Sequence, residues 1–130
     1  MFNDNGIKLI DRIPDGLTVH SDERTILLVL QNFLSNAVSN ISGKKIVQLT
    51  VDDDLDTYRV SVYNSGEPIA EDELDKIWYS FYKSSKKRKN EDFHFGLGLP
   101  IVKAIQKRLG RECGVVNEYG GVRFWFDVDK

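Results

Sequence analysis

The sequence predicts a two-layer α/β (α+β) sandwich: a mixed, mostly antiparallel sheet of about five strands, covered on one face by three helices. Three observations predict it. One long amphipathic stretch lies between residues 22 and 41, two pairs of alternating segments lie near 47–64 and 113–128, and helix signals separate the pairs. At 130 residues the chain fits one domain spanning 1–130, because single domains run from about 50 to 250 residues.

A strand pair opens the chain, its second member ending at Val19-His20. Ser21 or Asp22 then caps a helix that runs to about Ile41, where Ser42-Gly43 stops it. Within it Ile26, Leu30, Phe33, Leu34, Ala37 and Ile41 recur at the i, i+3/i+4 spacing of one buried stripe. Val47, Leu49 and Val51 alternate with polar residues, as do Tyr58, Val60, Val62 and, in weaker phase, Asn64; the acidic cluster Asp52–Asp56 between them is a hairpin connection. After Pro68 comes a short acidic helix over about Glu71–Ile77, then the aromatic segment Trp78–Tyr82 and the polar stretch Lys83–Asp92, patterned as a mobile loop. A further helix begins at Leu99-Pro100, where proline suits the first turn, and ends at Leu109-Gly110. Closing strands over about Cys113–Glu118 and Val122–Val128 flank a Tyr119-Gly120-Gly121 turn.

Composition excludes several classes. With 41% hydrophobic and 29% charged residues the chain is an ordinary soluble domain, and no apolar run approaches the roughly 20 residues that span a bilayer. Met1-Phe2-Asn3-Asp4 has no basic or apolar leader pattern, so no secretory signal is expected. A single cysteine, Cys113, excludes an internal disulfide and a cysteine-cluster metal site, and a reducing cytoplasmic setting is expected. The net charge of -2 argues against nucleic-acid binding by the whole domain, and the basic run Lys83–Lys89 reads either as a solvated loop or as part of a site.

Three segments carry chemistry. Asn32 and Asn36 are four residues apart and share a helix face, which at about 100° per residue lies roughly opposite Leu30, Ala37 and Ile41. They are therefore expected outside the core, on a solvated polar face or lining a ligand site, since asparagine is a poor helix-interior residue. Asn64-Ser65-Gly66-Glu67-Pro68-Ile69 ends a strand in a glycine turn, either an ordinary turn or a place where backbone approaches a ligand. Gly96-Leu97-Gly98-Leu99 runs into a helix N-terminus, an arrangement that suits an anion such as phosphate and also a flexible hinge. Lys83 and Arg88 lie just upstream, able to fold over the same anion.

In this order the segments resemble the nucleotide-binding boxes of the sensor histidine kinases, within the wider class that includes gyrase, Hsp90 and the mismatch-repair ATPases. Leu30-Gln31-Asn32-Phe33-Leu34-Ser35-Asn36-Ala37 resembles the N box, Asn64-Ser65-Gly66 the first glycine box, and Phe81-Tyr82-Lys83 the F box. Phe95-Gly96-Leu97-Gly98-Leu99-Pro100 resembles the second glycine box, and Gly120-Gly121-Val122-Arg123-Phe124-Trp125-Phe126 the closing strand. The wording from Asn64 through Ile77-Trp78-Tyr79-Ser80-Phe81-Tyr82-Lys83 is similar to kinases of the vancomycin-response type from Gram-positive bacteria.

The resemblance implies a domain that binds Mg-ATP and passes the γ-phosphate to a histidine on a separate dimerisation and phosphoacceptor domain, with a response regulator receiving it indirectly. It implies a cytoplasmic location, at the inner end of a membrane-anchored sensor, without direct membrane or nucleic-acid contact. By the same resemblance Asn36 is the Mg²⁺ ligand, Asn32 lines the cleft, Asn64 meets adenine, and Gly66 lets the backbone pass the base. Ile69, Ile77 and Phe95 are pocket walls, and Tyr82, Lys83, Arg88, Gly96, Leu97, Gly98 and Leu99 belong to the mobile ATP lid and phosphate loop. Asn32 stands where the ATPases of the class have a glutamate base, and its amide cannot take a proton from water. Asn64 replaces an aspartate, Ser39 and Asn40 stand where many relatives have lysine or histidine and tyrosine, and His94 stands where a glycine is usual. Neither His20 nor His94 lies in an acceptor motif. Two other readings stay open, a catalytically silent nucleotide-binding module and a water-hydrolysing ATPase.

Overall fold

The computed structural model describes residues 6–16, 22–79 and 98–130. Helix α1 spans Glu23–Asn40, and of the two possible caps it uses Asp22, whose extended backbone lets Oδ1 accept from the Arg24 N–H at 3.1 Å. This satisfies one of the backbone donors left open in a first helical turn. Ile41 leaves the helix with φ -69° and ψ 141°, so α1 ends at Asn40, within one residue of the expected Ile41. The chain then reverses through Gly43 at φ 70°.

The described residues form five strands: β1 (Lys8–Arg12), β2 (Ile46–Asp53), β3 (Thr57–Ser65), β4 (Cys113–Glu118) and β5 (Gly121–Asp129). Their order is β1-β2-β3-β5-β4; β1 pairs parallel with β2 and every other pairing is antiparallel. The mixed, mostly antiparallel sheet is as the alternation predicted. Residues 17–21, where the second N-terminal strand was expected, and the loop at 83–92 lie outside the described residues.

One face of the sheet is apolar and covered. Val47, Leu49, Val62, Val122, Phe124, Phe126 and Val128 are buried there against Val29, Phe33 and Ala37 of α1 and Leu99 and Val102 of α2 (Gly98–Leu109). Phe33 sits at the centre, its ring 5.3 Å from Phe124 and 5.7 Å from Phe126, while Trp78 meets Phe124 edge-on at 6.0 Å. Helix α2 closes with Gly110 at φ 70°, the Arg111 N–H reaching the Gln106 carbonyl at 2.8 Å and the Gly110 N–H that of Lys107 at 3.1 Å. That paired closure is what a glycine after the last helical residue permits.

The opposite face carries polar and amphipathic side chains. Arg59 lies 3.6 Å above the Trp125 ring and grips Asp127 with two bonds of 2.8 and 3.1 Å. Gly114 leaves room for that indole, since a Cβ there would stand 2.5 Å from the ring. Among the described residues helices therefore layer on one face only. The third helical segment, short as expected, is two 3₁₀ turns, Glu71–Glu73 and Lys76–Trp78, on either side of Leu74-Asp75. So short a segment closes its hydrogen bonds by i→i+3 turns more readily than by an α-helix.

Candidate functional site

The asparagines of α1 belong to the edge of the core, which corrects the expectation that they point away from it. The buried residues of α1 are Val29, Phe33, Asn36 and Ala37, and Asn36 is only 7% exposed. Leu30, Leu34 and Ile41 are partly buried at the stripe's far edge. Leu30 and Ile41 lie to one side of the buried stripe, and with Val29 and Phe33 at its centre Asn32 and Asn36 flank it. Asn40 continues the same row one turn further, and its Nδ2 donates to the Asn36 carbonyl at 2.9 Å.

The end of β3 comes up against the end of α1. Ser65 Oγ donates to the Ser42 carbonyl at 2.9 Å and accepts from the Ile46 N–H at 2.9 Å, while the Ser42 N–H donates to the Ser65 carbonyl at 3.1 Å. Asn64 is 2% exposed, and its Nδ2 donates to the Ser65 carbonyl at 3.0 Å. A carbonyl only accepts, so the group facing it must be the NH₂. The structure commits one N–H of this NH₂ to the backbone. Gly66 lies against both neighbours: a Cβ there would stand 2.7 Å from the Asn40 carbonyl oxygen and 3.2 Å from Asn64 Nδ2. The glycine is required by this close approach.

The start of α2 meets the other end of the asparagine row. A Cβ on Gly98 would stand 3.1 Å from Asn32 Oδ1, so the first residue of α2 touches Asn32, whose Nδ2 is buried and has no hydrogen-bond partner. Leu99 is fully buried in the core, which leaves its backbone as what it can present at the helix start. Ile69 is buried, and Asn117 of β4 holds its N–H at 2.9 Å and its carbonyl at 2.7 Å. Of the expected site residues the structure thus brings Asn32, Asn36, Asn64, Gly66 and Gly98 around the α1 row. Tyr82, Lys83, Arg88, Phe95, Gly96 and Leu97 lie outside the described residues.

One residue escaped the sequence reading, and another, Asn40, was marked there only as a departure from the pattern of the resembled family. Asn117 fixes the backbone of Ile69, which no local pattern reveals. Asn40 stands eight residues after Asn32 and four after Asn36, so the repeat that picked out the first two also marks the third.

The chemistry available here is neutral hydrogen bonding. Among the described residues no group of three His, Cys, Asp or Glu side chains is placed to hold a metal ion. Burial raises the Cys113 thiol above its ordinary range, with Lys103 opposing the shift, so the one cysteine is held protonated and is a poor nucleophile. No helix among the described residues is long and apolar enough to cross a membrane.

A sheet covered on one face, an asparagine row on its long helix and glycines at both ends of that row define a protein class. The chain belongs to the family of histidine kinase-, DNA gyrase B- and HSP90-like ATPases, whose profile matches residues 21–130. Within that family its similarity is to sensor histidine kinases. The sensor protein VanSB of Enterococcus faecalis is 32% identical over 95% of this chain, which spans 28% of that protein's length. The catalytic domain of the histidine kinase ThkA superposes with a TM-score of 0.84 at 29% identity, over 99% of this chain and 83% of that one; ThkA has also been solved in complex with the response regulator TrrA. Full-length ShkA in complex with AMPPNP matches at 30% identity and a TM-score of 0.78, over 97% of this chain and 26% of that one.

Proposed function

We propose that the domain binds Mg-ATP and transfers its γ-phosphoryl group to a histidine on a separate dimerisation and phosphoacceptor domain, in two-component signalling. The observation that carries this reading is the asparagine row: Asn32, with an unpartnered buried Nδ2, touches the start of α2 at Gly98 and offers an amide where hydrolysis would need a base. An amide can orient a phosphate or water but cannot take a proton from it. Transfer to a nucleophile that needs no such base, an imidazole nitrogen, is then favoured over hydrolysis. In that step the nitrogen bonds to the γ-phosphorus, the bond to the ADP oxygen breaks, and the imidazole proton leaves to solvent.

Asn36 would hold Mg²⁺ through its amide oxygen, as a hard neutral ligand supplemented by phosphate oxygens and water. Its side-chain amide bonds to no described residue, so that oxygen is available. When bound, the ion supplies neutralisation of charge on the phosphates. Asn64 would meet adenine, with Gly66 and Ile69 at the base and Gly98 and Leu99 presenting backbone at the phosphates. Tyr82, Lys83, Arg88, Phe95, Gly96 and Leu97 would complete a lid whose cations face the same anion. The domain would act in the cytoplasm, where ATP is supplied, and pass its phosphoryl group on to a response regulator. The complexes of ShkA with AMPPNP and of ThkA with TrrA support these partners.

The test mixes this chain with its own dimerisation domain and labelled ATP. Acid-labile phosphohistidine is expected on the dimerisation domain, reduced at least 100-fold by Asn36→Ala, about the 3 kcal/mol typical of a lost transition-state contact. Measurable Mg-ATP binding without any phosphohistidine would overturn the kinase reading and favour a silent nucleotide-binding module. Steady ATP turnover without an acceptor, abolished by Asn32→Ala, would favour an ATPase.

A further inference from the structure

Among the described residues the sheet ends on two edge strands, β1 and β4, and they are built differently. An edge presents unpaired backbone groups to any extended chain, and folds guard it with charge, proline or cover. β1 carries Lys8, Asp11 and Arg12. The stretch Cys113–Val116 of β4 carries neither charge nor proline, and Val116 is 45% exposed. Beyond that stretch the edge is closed, because the Asn117 side chain holds both the N–H and the carbonyl of Ile69.

The bonding phase of β4 follows from its neighbour. The Asp127 N–H donates to the Glu112 carbonyl at 3.0 Å, and this pattern repeats every second residue of an antiparallel pair, so Gly114 and Val116 bond to β5. Cys113 and Val115 therefore point their N–H and C=O groups outward, where no described residue bonds them. Beside them lies a groove of about 560 Å³ lined by Asp75, Trp78 and Lys103, and a second groove runs on from Lys103 and Cys113 to Lys107 and Glu112. Lys103 stands 5.5 Å from the Trp78 ring, and neither lysine pairs with a carboxylate among the described residues. The two are one turn apart on α2, a helix with cations and no acid. A step of four residues in a helix rises about 6 Å, and one of two residues in a strand about 6.6 Å. Carboxylates at alternate positions of an extended chain lying along β4 thus match the spacing of Lys103 and Lys107.

We propose that β4 and the adjoining face of α2 form a docking site for an extended segment of another polypeptide, which adds a strand to the sheet and sets two acidic side chains, two residues apart, against Lys103 and Lys107. The proposal does not rest on the Mg-ATP reading. Outward N–H and C=O groups at alternate residues are met in register only by another backbone, which selects a polypeptide. Asp75 and Glu112 also line the grooves, so charge selects where the acids sit rather than how many there are. A second copy of this chain fits poorly, because neither of its edge strands carries two acids two residues apart.

Titration of the full chain with a blocked hexapeptide of alternating glutamate and valine, followed by calorimetry and amide hydrogen exchange, tests it. Saturable binding is expected, with exchange of the Cys113 and Val115 amides slowed about tenfold. Reversing both charges, Lys103→Glu with Lys107→Glu, should weaken binding about tenfold, as should lysine in place of glutamate in the peptide. A peptide of the same composition in two blocks, valines then glutamates, loses the spacing and should bind about fivefold more weakly. Cys113→Pro removes an outward donor at the first residue of an edge strand, where proline is tolerated, and should weaken binding about threefold. If that variant does not fold, the alternating peptide N-methylated at every residue is measured in its place, with the same loss expected. No binding of the alternating peptide overturns the proposal, and so does equal binding of the lysine or block peptide or an affinity unchanged by charge reversal. Slow exchange at Cys113 and Val115 without peptide that is lost on dilution would assign the edge to a second copy, which overturns it as well.

Discussion

At the scale of single residues the site is built from glycines that admit their neighbours and amides whose orientation the backbone decides. Gly66 shows how narrow the tolerance is: its φ of 157° and the 2.7 Å separation between its missing Cβ and the Asn40 carbonyl leave no room for a methyl group. Gly66→Ala should lower unfolding free energy by about 1–3 kcal/mol, read as a drop in the urea midpoint. A midpoint unchanged within error would mean that the ends of α1 and β3 can separate freely. The strand alternation marked Asn64 only weakly, and the commitment of its NH₂ to Ser65 was not legible. That depends on a rotamer, which no spacing encodes.

At the scale of elements α1 does two jobs, since one side of it packs Phe33 into the aromatic centre and the adjacent side carries Asn32, Asn36 and Asn40. Whatever frays the start of α1 loosens the row. Asp22→Ala removes the bond to the Arg24 N–H and should cost about 1 kcal/mol, seen as a lower denaturant midpoint with an unchanged slope. No shift would indicate that another group caps the helix. The two cap candidates, the helix length and the two hairpins were legible because caps, 3.6-residue stripes and two-residue alternation are local signals. The centre of the buried stripe was displaced because Leu30, Leu34 and Ile41 are as apolar as Val29 and Phe33, and only packing against the sheet decides between them. The same holds for the segment after Pro68, where composition signals a helical turn but not whether it is α or 3₁₀.

At the scale of the whole molecule, the site joins three parts of the chain: the row on α1, the end of β3 and the start of α2. A ligand bound among them ties these parts together and stabilises the folded state by mass action. Mg-ATP at about 100 times its dissociation constant should add about 2.7 kcal/mol, a rise of roughly 8 °C in the melting temperature of a domain this size. Calorimetric melting checks this, and both removal of Mg²⁺ by chelation and Asn36→Ala should shrink the rise. An equal rise in the Asn36→Ala chain would remove the metal role from that residue.

The sequence by itself determined the kind of elements, their order, the layered fold and the family of nucleotide-binding domains to which the boxes belong. It did so because those properties are written in short periodicities and in motifs whose order survives without contacts. Only the tertiary structure decided which atoms face one another: Gly98 against Asn32, Gly66 between Asn40 and Asn64, Asn117 holding Ile69. Apart from Asn64 beside Gly66, these meetings join residues 26 to 66 positions apart in the chain. Their geometry is set by how α1 and α2 seat on the sheet, and a one-dimensional pattern carries no record of that seating.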